Sequence, residues 1–439
     1  MKYFAKTALV IATSCAATML ATDALADTVL TVATVNNGQM IQMQKLTPEF
    51  EKANPGIKIK WVTLPETQLR QNLTQDIANK SGLYDIMTIG MYNTPIWAKR
   101  GWLSPINTSG KYDVKDLIPS IRQGLSYKDK LYGAPFYGES SMVMYRKDLV
   151  EKAGMKITDR DKWTHIEKVA KAINDPKKGI YGICLRGKAG WGANVALVTT
   201  IVNSFGGRWF DMKWHPQIDT PEWKKAVTFY VNMLRKYGPP GATSDNFNQD
   251  LALFEQGKCG IWVDATIAAS FVSNPTESKV ADKVAFAQAP YEVTKKGSNW
   301  LWSWALAIPV TSKHQADAQK FVRWATSKSY IKLVAKHYGW ASVPTGTRES
   351  TYANPNFQKA AVFAKAEFTA IKSANPDDST LKPVPYKGVQ FVSIPEFQSI
   401  GTITGQMISA ALAGKMSVDQ ALENAQKIAE RQMRAAGYY

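Results

Sequence analysis

Two periods of apolar and polar positions alternate along the first part of the chain. Val29 to Thr34 is a β-branched run that predicts a strand. From Gln39 onward, Met43, Leu46 and Phe50 recur at helical spacing until Asn54-Pro55-Gly56 ends the pattern. Ile57, Ile59 and Trp61 then alternate with Lys58 and Lys60 as in a strand, Leu69, Leu73 and Ile77 restore helical spacing, and Asp85 to Ile89 predicts a third strand. Strands alternating with helices imply an α/β fold with a mostly parallel sheet covered on both faces. Ligands of such sheets sit beyond the carboxyl ends of the strands. There this chain places two loops rich in amides and glycine, Val35-Asn36-Asn37-Gly38 and Gly90-Met91-Tyr92-Asn93.

A second βα region begins with Gly179 to Cys184, followed by a loop carrying Arg186, Trp191 and Asn194 and a helical run through Val198, Ile201 and Val202 that stops at Gly206-Gly207. Gly257 to Asp264 reads as a loop and a strand ending in an acid. Trp300, Trp302 and Trp304 alternate with Leu301 and Ser303, which predicts a strand with one face of large rings. Ser417 to Gln420 reads as a capping box opening an amphipathic helix through Leu422, Ala425 and Ile428. Between the two regions lies YGAPFYGESSMVMYRKDL, Tyr132 to Leu149. It is apolar, aromatic or small up to Arg146 except for Glu139, set among Gly138, Ser140 and Ser141. That carboxylate is either a ligand contact or a buried partner of an Arg or Lys.

The first 26 residues change the picture, because Lys2 and Lys6 precede an apolar run from Ala8 to Ala21 and Ala24-Leu25-Ala26 fits a small-x-small cleavage pattern. Such a segment directs export to the periplasm with cleavage after Ala26. The run is too short and too rich in Ser and Thr for a membrane anchor, and Ala12-Thr13-Ser14 before Cys15 lacks the leucine of a lipidation site. The remaining 413 residues suffice for two domains. Loss of Lys2, Lys6 and Asp23 takes the formal charge from +18 to +17. Lys and Arg are spread singly or in pairs with no basic run and no recognition motif, so nucleic acid is not the expected partner and the basicity is read as a solvated surface. Cys184 and Cys259 remain after cleavage, either as one disulfide within a single lobe or as two buried thiols.

The chain contains no phosphate loop, Gly-rich dinucleotide turn, nucleophile elbow or paired-histidine zinc motif. It therefore offers no cofactor or metal site and no catalytic set fixed by spacing. What it does have is 14 tryptophans, with amides and carboxylates in its loops. Ring faces cover the C–H side of a carbohydrate, while Asn, Asp, Glu and Arg bond its hydroxyls.

Leu46 to Ile59, with Phe50-Glu51 and Asn54-Pro55-Gly56-Ile57, resembles the opening of extracellular solute-binding proteins of bacterial ABC sugar importers, the maltose-binding-like family. Tyr84-Asp85-Ile86 followed by Gly101-Trp102-Leu103 is similar to a second block of that family. Tyr132-Gly133-Ala134-Pro135-Phe136 leading to Tyr145-Arg146-Lys147-Asp148-Leu149 is similar to a third, with Arg146 where Asn is common. The likeness runs through the mature chain to Val418-Asp419-Gln420-Ala421-Leu422, and its aromatic loops resemble those of sorbitol- and mannitol-binding members.

This resemblance implies a two-lobed α/β fold with an interlobe cleft that closes by a hinge: 27–138 with 293–342 as the first lobe, 139–292 with 343–439 as the second. It implies ligand contacts from Asn37, Tyr92, Asn93 and Glu139 on one side, and from Arg186, Trp191, Asn194 and Asp264 on the other, with Trp302 and Trp304 covering the ligand. The partners it implies are a small polyol or sugar and the membrane subunits of an ABC permease, with the binding protein itself a monomer. The alternative reading is a secreted carbohydrate-active enzyme using Glu139 and Asp264 as acid and nucleophile.

Overall fold

The structure is a computed structural model that describes residues 27–439. The export segment and its cleavage site lie outside the described residues. The β-branched run forms β1 (Thr28–Val35), followed by α1 (Gly38–Ala53), β2 (Ile57–Leu64), α2 (Glu66–Asn79), β3 (Ile86–Gly90) and α3 (Asn93–Lys99). β1 lies parallel to both β2 and β3. Leu30, Val32 and Val35 are fully buried, as expected of a strand covered on both faces. α1 covers one of those faces with Met40, Met43, Leu46 and Phe50, the spacing that made it legible as a helix, and Phe50 meets Phe321 edge-on at 5.0 Å.

A short β4 (Leu103–Ser104) and a two-stranded hairpin, β5 (Ser126–Tyr127) with β6 (Lys130–Leu131), precede β7 (Ala134–Glu139). The first sheet has the order β2-β1-β3-β12-β4, with β7 also paired to β12 (Trp302–Pro309). The second sheet has the order β11-β8-β10-β9, built from β8 (Ser141–Arg146), β9 (Tyr181–Cys184), β10 (Cys259–Ala265) and β11 (Val284–Gln288). Each sheet is mixed rather than mostly parallel. β12 runs antiparallel to β3, β4 and β7, and β8 runs antiparallel to β10 and β11. The reason is that β8 and β12 enter from the other sheet, and the βα alternation that signals parallel neighbours is interrupted at each entry.

The chain leaves the first sheet at Glu139 and enters the second at Ser141. It returns through the segment between Gln288 and Trp302, and residues 343–347 pass alongside the first crossing. Ser141 joins two crossings: its Oγ donates to the Ser298 carbonyl at 3.2 Å and accepts from the Trp300 N–H at 3.2 Å, while its own carbonyl accepts from Asn299 Nδ2 at 2.8 Å. Gly138 N–H donates to the Thr345 carbonyl at 2.8 Å, and Gly346 sits at φ +74° against Gly138 so closely that a Cβ on either would overlap the other's backbone. These small residues let three strands of chain meet where larger ones could not.

Cys184 and Cys259 are bridged, with Cα atoms 6.0 Å apart, joining β9 to β10 within the second sheet. Among the described residues no helix is long and apolar enough to cross a membrane, and no group of three or more His, Cys, Asp or Glu side chains could hold a metal ion.

Candidate functional site

Register places the ring-bearing face of β12 beside the end of β7: Trp302 pairs with Glu139 and Trp304 with Tyr137. Residues paired in this way project to the same face of a sheet, so the indole of Trp302 and the carboxyl of Glu139 are neighbours. Gly90 at the end of β3 makes room, since a Cβ there would overlap the Trp302 ring. Trp302 and Trp304 meet edge-on at 5.6 Å, and Trp191, from the loop after β9, meets Trp302 at 5.9 Å.

These rings wall a narrow cavity whose empty space, open solvent at its mouth included, is about 470 Å³. Asn37, Glu139, Arg186, Trp191, Trp302 and Trp304, all picked from sequence, line it. So do residues that sequence reasoning missed: Glu66, Arg70, Phe247, Trp300 and Gln390, with Gly192 and Ala196.

Arg70 is the centre of the wall. Its guanidinium carbon lies 4.2 Å from the ring centre of Trp191, 4.8 Å from Trp302 and 4.6 Å from Trp304, within the ~6 Å of a cation–π contact. Nε and Nη2 both donate to Glu66 Oε1, at 3.1 and 2.8 Å. Nη1 is buried with no partner among the described residues. Burial lowers the pKa of this guanidinium, against the upward pull of Glu66.

Arg186 is held as a bidentate pair, Nε to Asp264 Oδ2 at 2.8 Å and Nη2 to Oδ1 at 2.6 Å, with Nη1 donating to the Gly192 carbonyl at 3.1 Å. Burial alone would lower its pKa, but Asp264 outweighs burial and leaves it above its ordinary value. Trp300 Nε1 is a second buried donor with no partner among the described residues. Asn37 Nδ2 donates to Tyr137 Oη at 2.8 Å. Gln390 grips the backbone of Leu301 from both sides, accepting from N–H at 3.2 Å and donating to C=O at 2.8 Å, which fixes the segment between Trp300 and Trp302. Burial raises the Glu139 carboxyl to about 8; Arg186 and Arg70 pull it down, while Asp264 and Glu66 push it up.

Four residues singled out in the sequence stand behind the cavity wall. Tyr92 Oη donates to the Ile394 and Pro395 carbonyls, both at 3.0 Å, accepts from the Gln398 N–H at 3.1 Å, and its ring backs Trp191 at 4.7 Å. Asn93 is buried as the first residue of α3 and does not line the cavity. Asn194 accepts from the Gly190 N–H at 3.2 Å and donates to the Gly405 carbonyl at 2.9 Å. Asp264 is fully buried under Arg186, and its Oδ1 also accepts from the Ala265 N–H.

A ring-walled cavity between two α/β sheets that exchange strands is the frame of a solute receptor. The family model for bacterial extracellular solute-binding proteins matches residues 37–332, and this chain belongs to that family. Its members bind and deliver solutes; they are not enzymes. The chain is 53% identical over 410 residues to the mannitol-binding protein of Pseudomonas aeruginosa, covering 93% of this chain and 94% of the relative. It is 60% identical to an ABC transporter solute-binding protein from Agrobacterium vitis S4 whose crystal structure holds D-mannitol; that comparison has a TM-score of 0.92 and covers 93% of this chain and 99% of the other. A solute-binding protein from Agrobacterium radiobacter K84 in complex with ribitol is 25% identical, with a TM-score of 0.82 and coverage of 93% and 99%.

Proposed function

We propose that this chain captures an acyclic polyol, D-mannitol foremost, in the cavity between its two sheets and delivers it to the membrane subunits of an ABC permease. The observation that carries the reading is a set of buried polar groups left open toward one ring-walled space: Arg70 Nη1 and Trp300 Nε1 as donors, with the Glu139 carboxyl beside them. Buried polar groups are normally partnered, and a polyhydroxyl ligand supplies a partner for each. Indole faces meet the carbon chain, and the absence of a sugar ring leaves orientation to the hydrogen bonds. The mannitol-binding relatives in Pseudomonas and Agrobacterium support the choice of ligand.

The ligand contacts in this reading are Asn37, Glu66, Arg70, Glu139, Arg186, Trp191, Trp300, Trp302 and Trp304. Tyr92, Asn93, Asn194 and Asp264 hold those residues in place from behind. The lobes are 27–138 with 293–342 and 139–292 with 343–439, and they close on the ligand by rotation about the crossings at Gly138 to Ser141 and its neighbours. The mature protein works in the periplasm, cut after Ala26, as a monomer. Calorimetry with D-mannitol, D-sorbitol, ribitol and maltose tests the ligand. Micromolar or tighter binding of D-mannitol, ~8 kcal/mol or more, is expected, and tighter binding of maltose than of any polyol would refute the reading.

A further inference from the structure

Three carboxyl groups and two guanidinium groups converge on the cavity, and their pairing is uneven. Asp264 takes two N–H donors of Arg186, and Glu66 takes two of Arg70. Glu139 has neither: among the described residues no hydrogen bond or ion pair ends on its carboxyl, although the residue is buried. The groups facing it are Glu66 and Arg70 on α2, Arg186 from the loop after β9, Asp264 at the end of β10, and Tyr137 on its own strand. Beyond Asp264, Asp250 is fully buried with both oxygens unpartnered among the described residues. Two cations are thus matched by two anions, and a charged Glu139 would be a third anion without a partner among tryptophans. An unpaired carboxylate in such surroundings protonates rather than remain charged.

We infer that Glu139 enters the ligand complex as the neutral acid, its hydroxyl donating to a ligand oxygen, so that capture of an uncharged polyol takes up one proton from solvent. This deepens the polyol reading and rests on it for the ligand. Opening the cleft would hydrate Glu139 and return it toward its ordinary carboxylate value of 4.5, whereas burial in the structure raises it to about 8. The closed state therefore holds the extra proton. Its advantage is complete below the ordinary value and is lost as pH rises through about 8. Between those limits affinity falls by about tenfold per pH unit.

The test is calorimetry of the mature protein at about pH 7 in phosphate and in Tris, whose ionisation enthalpies differ, using whichever of D-mannitol, ribitol and maltose binds. Expected are an apparent enthalpy that shifts with the buffer, uptake approaching one proton per ligand, and affinity that declines from about pH 6 to about pH 8. Glu139→Gln donates an amide N–H in place of the hydroxyl, so it is expected to bind about fivefold more weakly at the lower pH, to take up no proton and to lose the slope. Equal enthalpies in the two buffers for the parent would overturn the inference whether or not the variant folds. Undiminished uptake by Glu139→Gln would overturn it too, by placing the proton on another group such as Asp250. Failure of D-mannitol alone, with ribitol or maltose binding, would sink the ligand reading while the proton count still decides this one; if none of them binds, both fall.

Discussion

Arg70 shows what a single position on a helix can do that its sequence context hides. In Glu66-Thr-Gln-Leu-Arg70 the acid and base stand four apart, the usual signature of a solvated ion pair. The structure instead sets the pair at the cavity, with the guanidinium carbon 4.2 to 4.8 Å from the centres of three indole rings. Planarity matters here, because a compact ammonium has neither the delocalised face that meets several rings nor the fixed fork that holds Glu66 while aiming Nη1 elsewhere. Arg70→Lys is therefore expected to weaken polyol binding by about tenfold to a hundredfold, corresponding to loss of one charged hydrogen bond and its stacking; an unchanged calorimetric affinity would remove Arg70 from the site. A clue existed in the sequence. α2 starts immediately after β2, at a strand's carboxyl end, the place where ligands gather, yet only the loops after β1 and β3 drew attention because they carry amides and glycine. Glu139 and the Trp302–Trp304 face were legible because a lone acid in an apolar run and alternating rings are both local signals. Trp300 belonged to the same alternating rings but was not carried into the site, whereas Phe247 and Gln390 come to the cavity through tertiary packing that no local pattern encodes.

At the scale of elements, the strands and helices of the first βαβ region followed directly from their periods, whereas the mixed strand directions did not. Period reports which face is buried, and it says nothing about the direction from which a strand enters its sheet. The crossing at Gly138 to Ser141 is the element on which this architecture depends, and its geometry is fixed by contact between two glycines. Gly346→Ala would put a methyl group into the Gly138 carbonyl at a positive φ, so neither backbone can relax independently. A cost of about 2 kcal/mol or more is expected, read as a lower thermal midpoint. A midpoint equal to the parent's would mean that the contact is looser than it looks. The closing helix Val418–Ala435 was read from a capping box, and the structure keeps half of it: Ser417 accepts from the Gln420 N–H at 3.1 Å, while the Gln420 side chain turns to Asn424.

For the molecule as a whole, the family likeness gave the two-sheet plan, but not how firmly the third crossing is tied down. Residues 343–348 carry no period to read. In the structure, Arg348 is fully buried and donates to the carbonyls of Tyr112, Asp113 and Thr326, at 3.0, 3.0 and 3.1 Å. Thr345 Oγ1 and Tyr352 Oη each donate to the buried carboxyl of Glu367 at 2.8 Å. Burial raises Glu367 to about 7 against those hydrogen bonds. Because the folded value lies above the ordinary one of 4.5, this group's contribution to stability is complete below that value and is lost as pH rises through about 7. Thermal unfolding is expected to show a midpoint that declines from about pH 5 to about pH 7.5, with a shallower decline in Glu367→Gln. The same slope in both proteins would assign the effect to other buried acids.

The cluster of indoles around Arg70 also gives the protein an optical property. Trp191 rides on the second sheet's side of the cavity, whereas Trp302, Trp304 and Arg70 belong to the first, so any opening of the cleft takes one chromophore away from a cation and two neighbouring rings at once. Indole emission shifts in wavelength and yield with nearby charge and with exposure to water. Ultraviolet-excited fluorescence would then report cleft occupancy in real time with no attached dye, and a bacterium's own receptor becomes a sensor for the solute in its medium.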